Sequence, residues 1–426
     1  MSSTNDLSND LLAPSRGPEL RVSDLGRGAP RSVCLIGPGW QFTSGVSYYT
    51  CRLANAFAEH NQTSVIQLRH LVPRRLYPGR RRIGKTASSL RYDPRIAVLS
   101  GIDWWWGTSI LRAISFLRRV QPEVVVLEWW TAATLHTYLV LAVAARLNGS
   151  KLVVEMHESQ DPGEAKYQIL RSYAGLGLRL LFRITNGLLV HSAADREHFR
   201  RMFGLGKLPI ATAPHGPYDQ FCALTETAAE GDAGADRVRE APRSAINLLS
   251  FGLIRPYKGV QDLLCAFARL TDLELSRFWL TVVGETWEDD SISDLIAEHR
   301  HSNRITFLND YVPDSTVAAA FEHADIVILP YRRSSSSGVL HIAMSYGLPV
   351  VLTRVGGLPE AAEGYQGAVF VSPNNIESLR EGILQAATLV GERFPDPRTW
   401  SHVVDAVLSV SGVVKASSPG LASERR

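Results

Sequence analysis

A chain of 426 residues exceeds one ordinary hydrophobic core, so two domains are expected. A composition of 45% hydrophobic and 20% charged residues is that of a soluble globular protein and argues against a disordered or membrane-embedded one. The net charge of +3 conceals an asymmetry: residues 31–218 carry 24 Lys+Arg against 11 Asp+Glu, net +13, and residues 219–426 carry 18 against 27, net −9.

In chain order, residues 1–30 are rich in Ser, Asn, Asp, Gly and Pro and carry no charged-then-apolar leader pattern, which predicts a disordered tail. Val33 to Ile36 reads as a strand, followed by Gly37, Gly39 and Gly45 and then a helical run through Tyr49, Leu53 and Phe57. Further strands are predicted at Val65 to Leu68, Glu123 to Leu127, Leu152 to Glu155 and Gly187 to Val190. Thr131 to Leu147 is interrupted by His136 and Arg146, short for a membrane span and better read as a buried helix. Continuous Val, Leu and Ile runs separated by helices predict parallel strands covered on both faces, a doubly wound α/β domain over residues 31–218.

Residues 219–244, with their Ala, Glu, Asp and Gly-rich texture, read as an interdomain linker. The alternation then restarts over 245–392. Strands are predicted at Ile246 to Phe251, Trp279 to Val283, Arg304 to Phe307, Ile326 to Leu329, Pro349 to Leu352 and Ala368 to Val371. Helices are predicted at Gln261 to Leu270, Ser291 to Arg300, Ser315 to Glu322, Val339 to Tyr346 and Ile376 to Leu389. A last helix, Trp400 to Val410, occupies the segment 393–412, and 413–426 reads as a second disordered tail. Two such domains leave a cleft between the carboxyl ends of their sheets, where ligands bind.

Four scattered cysteines (Cys34, Cys51, Cys222, Cys265) form no CxxC, and no metal spacing with His is visible. A reduced cytoplasmic protein without disulfides or a metal is the expectation. The basic half suits an anionic membrane surface or an anionic substrate, as does the run Arg74, Arg75, Arg80, Arg81, Arg82, Lys85 in a domain that also carries Trp104 to Trp106 and Trp129-Trp130. A solvated loop with core tryptophans fits these residues equally well. Nucleic-acid binding lacks any recognised module.

The densest chemistry lies in FGLIRPYKG, Phe251 to Gly259. A strand leads through a turn with Gly252, Pro256 and Gly259 into a helix, and Arg255 and Lys258 stand in that turn. Two cations beside the free N–H groups of a helix start suit a phosphate.

FGLIRPYKGVQDLLCAF, VVGE (Val282 to Glu285), ADIVILPYRRSSSSGVLHIAMSYGLPVVLTRVGGLPE (Ala324 to Glu360) and the strand GAVFV follow one another in the order and spacing of a known family. The second half resembles the group 1 (family 4-like) retaining glycosyltransferases of the GT-B fold, which use nucleotide-sugar donors. GPGWQFTSGVSYYTCRLANAFAEH and LLVHSAADREHFRRMFG resemble that family's more variable first-domain motifs.

The resemblance implies that Lys258 and Arg255 hold the donor diphosphate, a task that needs fixed cations where no metal neutralises the leaving group. The family's Arg usually follows the first Gly directly; here Leu253 stands there, and Arg255 is the substitute. Gly252, Gly284, Glu285 and Gly357 fall on positions near nucleotide and phosphate. Ser334, Ser335, Ser336, Ser337, Gly338 and Val339 replace the usual Glu-containing motif, and its two carboxylates fall on Ser334 and Ile342. Ser-rich turns ending at a helix start can still bind phosphate. His157 occupies the strand-end position that faces the donor sugar in the family, with Glu155 on the same face and Glu158 beside it. Gly39 and Gly45 belong to the loop that approaches phosphate and acceptor.

The implied activity is transfer of a sugar from a nucleoside-diphosphate-sugar donor to a hydroxyl of a glycan, a lipid or a small molecule, retaining and without a metal cofactor. The expected location is cytoplasmic, peripheral at the inner membrane face. The last helix is expected to return to the first domain. Two alternatives remain: a nucleotide-sugar epimerase on the same fold, and a catalytically silent binding or scaffold protein, which the missing carboxylates at Ser334 and Ile342 leave open.

Overall fold

The computed structural model describes residues 31–39, 45–70, 90–157, 168–227, 233–242, 244–287 and 291–413. The predicted tails (1–30, and 413–426 apart from Val413), Glu158 and the basic run Arg74 to Lys85 lie outside the described residues.

The first domain holds seven parallel strands: β1 (Ser32–Pro38), β2 (Gln62–His70), β3 (Ala97–Asp103), β4 (Val124–Trp129), β5 (Lys151–Met156), β6 (Gly187–Val190) and β7 (Ile210–Thr212). Their order is β3-β2-β1-β4-β5-β6-β7. The helices are α1 (Gly45–Ala58), α2 (Ser109–Val120), α3 (Leu135–Leu147), α4 (Gln168–Ile184) and α5 (Ala193–Phe203). The strand order reverses its direction of winding between β1 and β4, which opens a crevice at the carboxyl edge of the sheet.

The second domain follows a short helix, α6 (Ala233–Val238). Its strands are β8 (Ile246–Phe251), β9 (Phe278–Val283), β10 (Ile305–Leu308), β11 (Ile326–Leu329), β12 (Val350–Thr353) and β13 (Ala368–Val371). They are ordered β10-β9-β8-β11-β12-β13, again parallel, with the switch between β8 and β11. The helices are α7 (Val260–Ala268), α8 (Asp272–Leu275), α9 (Ser291–Ala297), α10 (Asp314–Glu322), α11 (Gly338–Ser345), α12 (Leu358–Ala361) and α13 (Ile376–Ala386). The residues on the two faces of each sheet form separate apolar clusters, as continuous Val, Leu and Ile runs require.

Two strands escape the sequence reading. β3 is half exposed and interrupted by Ser100 and Gly101, and β7 has three partly exposed residues at the sheet edge, so neither shows a continuous apolar run. The linker expected over 219–244 is not a free tether. Residues 219–227 form 3-10 turns, and Phe221, Ala235 and Val238 are buried in the second-domain core against α10. A few apolar residues on one face suffice to pack a short helix, whatever the average composition.

The last helix, α14 (Trp400–Ser411), crosses back to the first domain and packs on α1, β5, β6 and β7. Val403, Val404 and Val407 join Val33, Leu35, Leu53 and Phe57 in one core. Trp400 lies on Gly216, sits 5.0 Å from the Tyr49 ring and donates Nε1 to the Pro217 carbonyl at 2.9 Å. Trp400→Ala should therefore destabilise the first domain by about 3–5 kcal/mol, read as a lowered urea midpoint. An unchanged midpoint would show that α14 is dispensable for that core.

Candidate functional site

The carboxyl edge of the second sheet gathers most of the predicted residues. Gly252 follows β8 and Gly284 follows β9, where a Cβ would strike the Gly252 carbonyl; with φ at +150°, only glycine fits. Arg255 opens a 3-10 turn, Pro256–Lys258, which Gly259 ends in the left-handed conformation before α7. Lys258 Nζ lies 5.1 Å from the Tyr331 ring centre, and a Cβ on Gly252 would meet Lys258 Nζ at 3.2 Å on one side and Val339 at 3.4 Å on the other. Burial alone would lower the Lys258 pKa. The Tyr331 and Tyr257 phenols outweigh it and hold the value above that of ordinary lysine, so Lys258 stays cationic.

Arg255 lies 4.9 Å over the Trp287 ring, and its Nε has no hydrogen-bond partner. Such stacking contributes about 0.5–1 kcal/mol and leaves the guanidinium edge free to bind. Glu285 accepts a hydrogen bond from Trp287 Nε1, so its carboxylate fixes the ring on which Arg255 rests. Among the described residues neither Arg255 nor Lys258 forms an ion pair with a carboxylate. Arg332, by contrast, is held by Asp262 in a two-pronged pair at 2.8 and 3.0 Å.

The serine turn lies across the same edge. Ser337 caps α11, its side chain accepting from Leu340 N, and Ser334 Oγ donates to the Ser336 carbonyl at 2.9 Å. The Gly357 amide donates to the Ser334 carbonyl at 3.2 Å, and a Cβ on Gly356 would strike that same carbonyl. Gly252, Gly284, Glu285, Lys258, Arg255, Ser334 to Val339 and Gly357 are thus brought together. Ile342 is buried in the second-domain core.

The first domain contributes a buried polar group. Glu128 and Glu155 are paired in register on β4 and β5, and both are fully buried. One residue past the Met156–Val190 pairing stand His157 and His191. His157 Nε2 lies 3.0 Å from Glu128 Oε2, and His157 Nδ1 lies 3.2 Å from His191 Nε2. His157 is thus at the expected strand end, but both its nitrogens face protein partners rather than an open cleft. His191 Nδ1 donates to the Ala213 carbonyl at 3.0 Å. Tyr49 OH donates to Glu155 Oε1, and Thr50 Oγ1 to Glu128 at 3.0 Å. His215 joins from the segment after β7, and His341 of α11 stacks on it at 5.2 Å.

Burial pushes the Glu128 carboxyl up to about 8, against the Thr50 hydrogen bond, and burial with Glu128 beside it raises Glu155 further. Burial pushes His157, His191 and His341 down to about 3. Tyr49, Glu128, His191, His215 and His341 were not among the predicted site residues. The available signal was that β4, β5 and β6 each end an apolar run on a polar residue at the sheet's carboxyl edge.

The two halves meet at this edge. Ser336 Oγ lies 3.4 Å from His215 Nε2, Tyr48 OH donates to Asp314 at 2.6 Å, and the Ala193 amide at the α5 start donates to Glu360 at 2.6 Å. Gly357 packs on Ser192, where a side chain would clash. Gly39 lies beside this face, its amide bound to the Leu68 carbonyl and its own carbonyl accepting from Ser47. Gly45 begins α1 in open space.

Over 89% of its length the chain superposes on 93% of sucrose-phosphate synthase from Thermosynechococcus elongatus, with a TM-score of 0.57 and 14% identity. The fold is GT-B. Residues 236–391 match the family described as glycosyl transferases, group 1. The chain is 27% identical over 203 residues to glycogen synthase of Mycobacterium tuberculosis, covering 48% of this chain and 46% of that one. It is 34% identical over 147 residues to D-inositol 3-phosphate glycosyltransferase of Corynebacterium glutamicum, covering 32% and 35%. The chain therefore spans about half of the first relative's length and about a third of the second's. These matches place residues 236–391 beside the group 1 glycosyl transferases.

The raised Glu128 carboxyl makes a pH prediction. The folded state holds a proton that the unfolded state has lost above its ordinary carboxyl value, so stability falls as pH rises towards 8. The depressed imidazoles act in the opposite sense, but only below about 6.5, where an unfolded histidine is charged. Between pH 6.5 and 8 in EDTA-containing buffer, Glu128→Gln should remove about 2 kcal/mol of the fall in unfolding free energy. Equal slopes for the two proteins would mean that Glu128 is ionised in the fold.

Proposed function

We propose that the protein is a glycosyltransferase that moves a sugar from a nucleoside-diphosphate-sugar donor to an acceptor hydroxyl, with retention of configuration. The observation that carries this reading is the pair Lys258 and Arg255, cationic, unopposed by carboxylates among the described residues, and set against the α11 start. Breaking the bond between sugar and diphosphate places negative charge on the departing group. Fixed cations at a partly dehydrated sheet edge stabilise that charge without reorganising, in the role a metal would otherwise take. The Ser334 to Gly338 turn offers hydroxyls and the free amides of a helix start to the same phosphates. The acceptor, a glycan, a lipid or a small molecule, enters from the first-domain side, and closure of the cleft limits hydrolysis of the donor.

A thermal-shift screen with UDP, GDP, TDP and ADP and their sugars tests this reading. At least one diphosphate should raise the melting temperature of the native chain. Lys258→Ala should abolish that rise and lower kcat by about 100- to 1,000-fold, with Arg255→Ala somewhat milder. Normal binding and turnover in both variants would displace the phosphate site. No nucleotide binding and no turnover in the native chain would leave the silent relative, which the absence of carboxylates at Ser334 and Ile342 favours.

The proposed setting is the cytoplasm, at an anionic membrane surface. All four cysteines are free thiols, which suits a reducing compartment. Among the described residues no helix is long and apolar enough to cross a membrane. Helix α4 nevertheless exposes Ile169, Tyr173, Leu176 and Leu180 as one stripe at helical spacing, flanked by Arg179 and Arg183. An apolar stripe bordered by arginines suits an anionic bilayer surface. Leu176→Asp with Leu180→Asp should release the protein from vesicles containing anionic lipid in a sedimentation assay; unchanged sedimentation would remove α4 from the contact.

A further inference from the structure

We propose that His157, His191 and His215, with Glu155, form a binding site for one divalent transition-metal ion of the zinc class at the base of the cleft. One nitrogen from each of the three imidazoles lies within 4.8 Å of those of the other two, and all three residues are buried.

Geometry carries the argument. A carbonyl oxygen only accepts, so the Ala213 contact puts the His191 proton on Nδ1 and leaves Nε2 as a bare lone pair. His157 Nδ1 faces that lone pair at 3.2 Å, so either a proton or a cation lies between the two nitrogens.

One resolution is a proton. Glu128 as a neutral acid would donate to His157, and His157 to His191. That chain settles one contact and leaves the rest. Glu128 Oε1 and Glu155 Oε2 are buried with no hydrogen-bond partner, and no Lys or Arg among the described residues pairs with either carboxyl. His215 has only hydroxyl partners, Tyr218 and Ser336, both at a long 3.4 Å.

A divalent ion settles these together. It takes the facing nitrogens of His157 and His191, one nitrogen of His215 and the partnerless Oε2 of Glu155, whose other oxygen is held by Tyr49. It also supplies the positive charge that two buried carboxylates lack. Ligands about 2.0–2.1 Å from a tetrahedral ion stand roughly 3.3 Å apart, the spacing His157 and His191 already have. The remaining ligands close on the ion by about an ångström or so. The outer contacts are those of metal-bound imidazoles, one N–H on a carbonyl and one on a carboxylate. Imidazole and carboxylate without thiolate suit zinc-class ions over soft ones. Four protein ligands make a closed, structural site, separate from the diphosphate cations, and Ser336 ties it to the second domain.

The test uses the full chain, stripped with EDTA and titrated with ZnCl2 by calorimetry and with CoCl2 by visible absorption. The expected results are one equivalent of Zn2+ and an intense tetrahedral Co2+ spectrum. His191→Gln and His215→Gln should lose that spectrum and bind Zn2+ at least 100-fold more weakly. Glu128→Gln, which keeps the volume and all four ligands, should weaken binding by about 10- to 100-fold, guarding against a ligand variant that fails to fold. The proposal is overturned if the native chain takes up no stoichiometric metal, or if both histidine variants retain it. A protonated-carboxyl infrared band that persists with Zn2+ present and vanishes in Glu128→Gln would also overturn it, in favour of the proton chain.

Discussion

Glu128 and Glu155 sit side by side on neighbouring strands with no Lys or Arg among the described residues to neutralise them, and the rest of the cleft is arranged around that constraint. A buried carboxyl must be protonated, hydrogen-bonded or matched by a cation. Thr50 and Tyr49 reach it from α1, and His157 from the next position along β5. Gly37 stands where a side chain would strike Thr50, so α1 can approach closely enough to deliver those hydroxyls. Trp400 then closes over Tyr49.

The two sides of the cleft are chemically opposite, and in the reverse sense to the overall charge. The second half of the chain has a net −9 yet presents Lys258 and Arg255, while the first half has a net +13 yet buries two carboxyl groups at its sheet edge. Net charge governs long-range attraction and solubility; the chemistry of a cleft is set by the few groups dehydrated within it. The acidic surface of the second half therefore does not speak against an anionic ligand there.

How much the sequence discloses follows from where its signals lie. All six strands of the second sheet are legible because each is a short apolar run, even the half-buried edge strands β10 and β13. β3 and β7 are hidden because exposed and polar or small residues break or shorten their runs at the edge of the first sheet. The turn that carries Arg255 and Lys258 is legible because Gly252, Arg255, Lys258 and Gly259 lie within eight residues. The histidine group is not. His157, His191 and His215 stand 34 and 24 residues apart, and only the parallel pairing of β5, β6 and β7 makes them neighbours. Local spacing finds a site built on one turn; a site built from the ends of several strands becomes visible only once the strand order is known. Phe221, Ala235 and Val238 show the same limit, since average composition cannot say which face of a short helix is apolar.

The return of α14 to the first domain has a consequence for how the chain acquires its structure on the ribosome. The first domain is synthesised first, yet one side of its core is supplied by Val403, Val404 and Val407. Until those residues emerge, α1 and the β5–β7 region present an uncovered apolar face. The second domain, whose core draws on nothing beyond Phe394, can consolidate while the first still waits. Synthesis order and completion order are thus inverted, and the contacts that finish the first domain are among the longest in sequence separation, hence the slowest to form.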